Sequence, residues 1–155
     1  MKNIRAKRET SREYLMKLMY QTYISNGDIT DLENEMEEFL QNNKEYIVSR
    51  YKELVLTYSD KDVDFEGLSL EKCVDRVYLN EMCDILRFKI DYINELIENN
   101  AKNWSINRFS KIDLAILQIA IAEILSDLNI PDRVSINEAI DLAKMYCEAK
   151  TPKFI

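Results

Sequence analysis

Histidine does not occur in this 155-residue chain, glycine and proline occur only twice each, and cysteine three times. The missing imidazole removes the side chain most often used as general base or metal ligand near neutral pH. With Gly27 and Gly67 as the only glycines, neither a phosphate-cradling P-loop nor a dinucleotide-binding GxGxxG can be written. Cys73, Cys83 and Cys147 lie far apart, form no CxxC pair and have no histidine to join them, so the usual tetrahedral zinc set is excluded. They read as reduced core or surface thiols, which fits a cytoplasmic protein. No apolar run approaches the ~18 to 20 residues of a membrane span, and the charged start MKNIRAKRETSRE has no apolar segment behind it. The expectation is a protein without membrane segment, metal or cofactor, and not an enzyme.

Charge is unevenly placed. The net formal charge of −7 argues by itself against nucleic acid, because phosphate backbones attract cations. Residues 1 to 17, however, carry six cations (Lys2, Arg5, Lys7, Arg8, Arg12, Lys17) against Glu9 and Glu13, a local +4, which leaves −11 for the remainder.

Apolar periodicity is helical throughout. Leu15, Leu18, Met19 and Thr22 follow the i, i+3, i+4, i+7 rule, predicting a first helix from about Ile4 to Ser25 with Gly27 as its stop. Leu32, Met36, Phe39 and Leu40 mark a second, acidic helix, and Tyr46, Ile47, Tyr51, Leu54, Val55 and Tyr58 a third. Ser59 to Gly67 reads as a loop. Leu70 to about Asn100 has propensity for one long helix or two shorter ones. Ser110 with Asp113, and Ser135 with Glu138, have capping-box spacing and mark two further starts. Between them Ile112–Leu125 is apolar almost all round, as in a central helix. Pro131 breaks the connection to a helix from Ile136 to about Cys147, and Thr151-Pro152 starts a last helix cut off at Ile155. Nothing alternates with period two long enough for a strand. The fold class is all-α, with about seven helices.

Three constellations are candidates for function. At about 100° per residue, Arg5, Arg8 and Arg12 lie within roughly 80° of Leu15, on the apolar side of the first helix. Since arginine does not continue a core, the first turns should overhang the body and present guanidinium forks to phosphate and unpaired bases; a solvated helix start is the plainer account. Glu123, a carboxylate in an apolar helix, is read as a structural hydrogen-bonding group, and Asp113 as part of its cap. Trp104, Tyr14, Tyr20 and Tyr23 are capable of stacking on bases, but aromatics at helical spacing read as core, Tyr20 included. In the loop Leu128 to Val134, Asn129, Asp132 and Arg133 sit beside a helix N-terminus, where amides and the dipole favour a phosphate.

The C-terminal third carries a family pattern. Trp104, Arg108, Lys111-Ile112-Asp113, Ile116-Leu117, Ala120, Glu123, Ile130-Pro131, Val134, the run INEAIDLAK (Ile136 to Lys144) and Lys153-Phe154-Ile155 resemble the NusB family of transcription antitermination factors. At the other end Arg12-Glu13 and Met19-Tyr20-Gln21 resemble the family's arginine-rich start and RE…LYQ helix. The resemblance implies a single NusB-like domain over residues 1–155, built as two small packed helix bundles divided near residue 68. It implies pairing with NusE, a small-subunit ribosomal protein, binding of single-stranded boxA RNA, and a place in the RNA polymerase antitermination complex that reads through terminators in rRNA operons. The family also includes homodimers. Carried over by position, the RNA-binding residues are Arg5, Lys7, Arg8, Arg12, Asn129, Asp132 and Arg133, with Asn137 and Glu138 holding the last helix start. Gln118 departs from the pattern, standing where relatives carry arginine. The acidic body keeps a second reading open: a helical protein-interaction module of the same fold without RNA binding.

Overall fold

The computed structural model describes residues 4–58, 66–101, 105–147 and 155. Among them the chain forms α1 (Ile4–Ile24), α2 (Leu32–Asn42), α3 (Lys44–Thr57), α4 (Leu70–Cys73), α5 (Arg76–Asn100), α6 (Lys111–Leu125) and α7 (Asp132–Tyr146), with two short 3₁₀ turns and no strand. The all-α expectation holds. Trp104, most of the loop after Tyr58, and the Thr151-Pro152 start lie outside the described residues.

The helix α1 is central: it packs on α2, α3, α4, α5 and α6. Leu15, Met16, Leu18 and Met19 are almost wholly buried, and their neighbours include Leu40, Ile47, Tyr51, Leu86 and Ile116 in one continuous core. Its end is a Schellman turn, in which Gly27 N–H donates to the Thr22 carbonyl (2.8 Å) and Asn26 N–H to that of Tyr23 (3.3 Å). The left-handed residue is Asn26 (φ 57°), so the stop expected at Gly27 falls one residue earlier. Asparagine tolerates that region, and a Cβ on Gly27 would stand 3.2 Å from Thr22 Cγ2.

The break that periodicity leaves unplaced in Leu70–Asn100 falls at Val74-Asp75. The Asp75 carboxylate caps α5 by accepting from Tyr78 N–H (3.0 Å), while its own N–H donates to Ser11 Oγ of α1 (2.7 Å). The cap at Ser110 forms as the spacing predicts, its hydroxyl accepting from Asp113 N–H (3.1 Å).

The Ser135 start does not form. Helix α7 begins at Asp132, because Pro131 (φ −57°, ψ 139°) is already set for helix entry and its carbonyl accepts from Val134 and Ser135 N–H (2.9 and 3.2 Å). Ser135 is thereby a buried first-turn residue whose hydroxyl points elsewhere. Tyr20 corrects a second expectation: it is 37% exposed, not core, whereas Tyr14 is buried. Residue 20 sits about 100° round the helix from Met19, past the edge of the stripe that Leu15, Leu18, Met19 and Thr22 bury. Cys73 and Cys83 are buried free thiols, with Cys147 half-buried. Burial pushes the Cys73 thiol up to about 11 and, with Glu33 and Asp84 adding to it, that of Cys83 up to about 12, so both stay protonated. Among the described residues no helix is long and apolar enough to cross a membrane.

Candidate nucleic-acid interface

The first three turns of α1 lie beside the exposed face of α7, and a groove of about 980 Å³ runs between them. Helical spacing chooses the walls: Arg5, Arg8, Glu9 and Arg12 from α1, and Val134, Asn137, Glu138, Asp141 and Lys144, three and four residues apart, from α7. The arginines do not all do the same thing. Arg5 is the most open, 65% exposed at its side chain, with Nε 3.2 Å from Glu9 Oε1 and its guanidinium 4.1 Å above the Tyr58 ring. Tyr58 in turn hydrogen-bonds Glu9, and burial followed by that carboxylate raises its hydroxyl's pKa. Arg8 is half-buried, gives one nitrogen to Asp75 (3.2 Å), and has a buried Nε with no protein acceptor.

Arg12 overturns its assignment as an exposed phosphate ligand. It is 3% exposed and forms two parallel hydrogen bonds to Glu123, Nε to Oε2 at 2.6 Å and Nη2 to Oε1 at 2.9 Å. Burial alone would lower its pKa, but Tyr78, Glu123 and Glu138 outweigh it and keep the guanidinium charged. An arginine continues into a core when a carboxylate meets it there, and so the first turns do not overhang the body. Glu123 is the structural hydrogen-bonding group that the sequence indicated.

Glu138 does not hold its own helix start. It reaches across the groove to within 3.6 Å of Arg12 Nη1 and hydrogen-bonds Glu9. Burial, then the charge of Glu9, push its carboxyl up to about 7 against the pull of Arg12; the hydrogen bond to Glu9 and the charge of Asp141 add to the rise. The folded state therefore keeps a proton that the unfolded chain releases near 4.5, and stability falls as pH rises between about 4.5 and 7. Urea midpoints at about pH 5.5 and 7.5 should differ less for Glu138→Gln than for the unaltered chain, with the lower pH favouring the latter. Identical pH dependence in the two proteins would contradict the raised Glu138 carboxyl.

The remaining sequence candidates scatter. Lys7 faces away from the groove, into a shallow cleft with Glu71, Asp75 and Arg76. Asn129 is exposed in the left-handed region (φ 57°), where it turns the chain after α6. Asp132 and Arg133 are exposed in the first turn of α7, not in a loop, and do not line the groove. Asn137 and Lys144 do line it without being among the sequence candidates for binding, although their seven-residue separation with Val134 and Asp141 marks one helix face. A second cleft of about 510 Å³ lies where α6 begins and α7 ends; the half-open Tyr20 lines it with Arg108 and Lys111. It offers an aromatic face beside two cations, the pairing that takes an unstacked base and its phosphate.

Comparison with known proteins gives one answer. The model of the NusB family matches residues 9–155. The transcription antitermination protein NusB of Clostridium botulinum (strain Kyoto / Type A2) is 39% identical over 148 residues, covering 96% of this chain and 93% of that protein. The protein of the same name from Clostridium tetani (strain Massachusetts / E88) is 36% identical over 149 residues, covering 96% and 92%. A solved structure of T. maritima NusB shares the fold, with a TM-score of 0.57 at 24% identity over 95% of this chain and 83% of that one.

Proposed function

This chain belongs to the NusB family, and from that premise we propose that it acts as a non-enzymatic, cytoplasmic transcription antitermination factor that binds boxA-type single-stranded RNA together with NusE. The carrying observation is the groove between α1 and α7. Arg5, Arg8 and Lys144 line it, and the Arg5 side chain is 65% exposed. Such a rim suits phosphates, and Asn137 supplies donors and acceptors for a base edge. The strand continues towards Tyr20, Arg108 and Lys111 in the second cleft. NusE is needed because Glu9, Glu138 and Asp141 share the groove with the cations and leave this chain a weak phosphate binder alone.

The test is fluorescence anisotropy of a boxA RNA with this protein and NusE at several salt concentrations, against a scrambled RNA. We expect boxA preference and an affinity that falls with salt, the slope dropping by roughly 0.7 for each phosphate contact removed, as in Arg8→Ala. Equal binding of both RNAs would refute the reading. The groove carboxylates favour one alternative, the interaction module without RNA binding, for which Arg5→Ala and Arg8→Ala leave partner binding unchanged and RNA is not bound at all.

A further inference from the structure

Both walls of the groove are fastened to the same buried carboxylate. Glu123 of α6 is 1% exposed and accepts four hydrogen bonds, two on each oxygen. Two come from Arg12 on the α1 wall. A third comes from Ser135 on the α7 wall, Oγ to Oε1 at 3.0 Å, and the fourth from Tyr78 of α5, Oη to Oε2 at 2.7 Å. Ser135 itself is 1% exposed, two residues before Asn137 and nine before Lys144 on the same helix. Arg12 stands one turn below Arg8 and two turns below Arg5. The donors of each wall thus hang from a helix that Glu123 anchors.

We propose that Arg12, Glu123 and Ser135 are positioning residues for RNA binding: they set the spacing of Arg5 and Arg8 against Asn137 and Lys144 without touching RNA. The proposal rests on the RNA-binding reading above. Two of the three guanidinium nitrogens of Arg12 are engaged by Glu123, and the third faces Glu138 at 3.6 Å, so no fork is left for a phosphate. Drawing Arg12 out towards RNA would leave Glu123 ionised and buried with only two hydroxyl donors, which disfavours that movement. The Ser135 hydroxyl carries no charge, and so its removal isolates spacing from electrostatics. A carboxylate satisfied from both sides also explains why an arginine and a serine, each with an ordinary surface role available, are buried beside it.

The experiment combines RNA binding with a spectrum of the RNA-free protein. Ser135→Ala should weaken boxA binding in the presence of NusE by roughly three- to thirtyfold, a change inside the range of couplings within one contact network, while the protein stays folded. Adding Arg8→Ala to it should cost less than Arg8→Ala costs alone, because the displaced Arg8 has less contact to lose. Arg12→Lys keeps the charge but not the fork, and should lose affinity as Ser135→Ala does. In the RNA-free protein, the side-chain amide resonances of Asn137 should move in Ser135→Ala while methyl resonances of Ile29 and Met36 stay in place. Unchanged affinity, additive effects, retention of binding by Arg12→Lys, or an unmoved Asn137 resonance would each overturn the proposal. If the unaltered protein shows no boxA preference, the RNA reading fails by itself, and the Asn137 resonance still decides whether Ser135 sets the groove.

Discussion

Arg12→Ala should lower the unfolding free energy by about 3–5 kcal/mol, the cost of leaving one partner of a buried ion pair alone. The loss follows from what stays behind. Glu123 is 1% exposed, and without the guanidinium it retains only the hydroxyls of Tyr78 and Ser135. A domain of ordinary stability has roughly 5–15 kcal/mol in total, so the variant should lose a large share of it. Chemical denaturation followed by helical circular dichroism measures this. Replacing both partners by apolar residues of similar size, Arg12→Met with Glu123→Leu, should recover part of the loss: the desolvation cost of two charges disappears with their attraction, while the buried hydroxyls of Tyr78 and Ser135 lose their acceptor. An alanine variant within about 1 kcal/mol of the unaltered chain would place the pair among surface ion pairs. Arg5→Ala is the contrast: its pair with Glu9 is largely open to solvent and should contribute little to stability.

Charge reversal at the groove rim should have the largest effect on binding. With Arg5→Glu and Arg8→Glu together, boxA affinity in the presence of NusE should fall on the order of a hundredfold at physiological salt, because two cations are lost and two anions join Glu9, Glu138 and Asp141. The salt dependence should fall with it. Lys7→Glu tests geometry against net charge: Lys7 lies one residue from Arg8 but in the cleft with Glu71 and Arg76, away from the groove. It should change affinity by no more than a few-fold, through unspecific electrostatics. Equal losses from Lys7→Glu and Arg8→Glu would mean that RNA senses the basic segment as a whole and the groove has no special role.

Much of the architecture was legible because it depends on neighbours in sequence. The apolar stripe of α1, the caps at Ser110 and the all-round apolar character of α6 arise from residues within one or two turns, and they appear where expected. The failures share one cause. Ser135 and Glu138 have the spacing of a capping box, yet Pro131 opens the helix earlier and both side chains bond to partners on other elements. Tyr20 lies between the buried Met19 and Thr22 in sequence, but about 100° round the helix from Met19 it falls outside their stripe.

The same division runs through the candidate site. Local chemistry alone determined that this is a helical chain with a cationic start, without the imidazole or glycine-rich loops that most catalytic sites use, and with an INEAIDLAK helix of the NusB type. It even placed Arg5, Arg8 and Arg12 on the correct side of α1. Which of them meets solvent was decided only by the fold. The acceptor for Arg12 is 111 residues away in sequence, that for Arg8 is 67, and the polar group on the opposite wall of the groove, Asn137, belongs to a helix folded back against the first. Helical period fixes direction from neighbouring residues, whereas burial and charge pairing depend on what the chain brings up from afar.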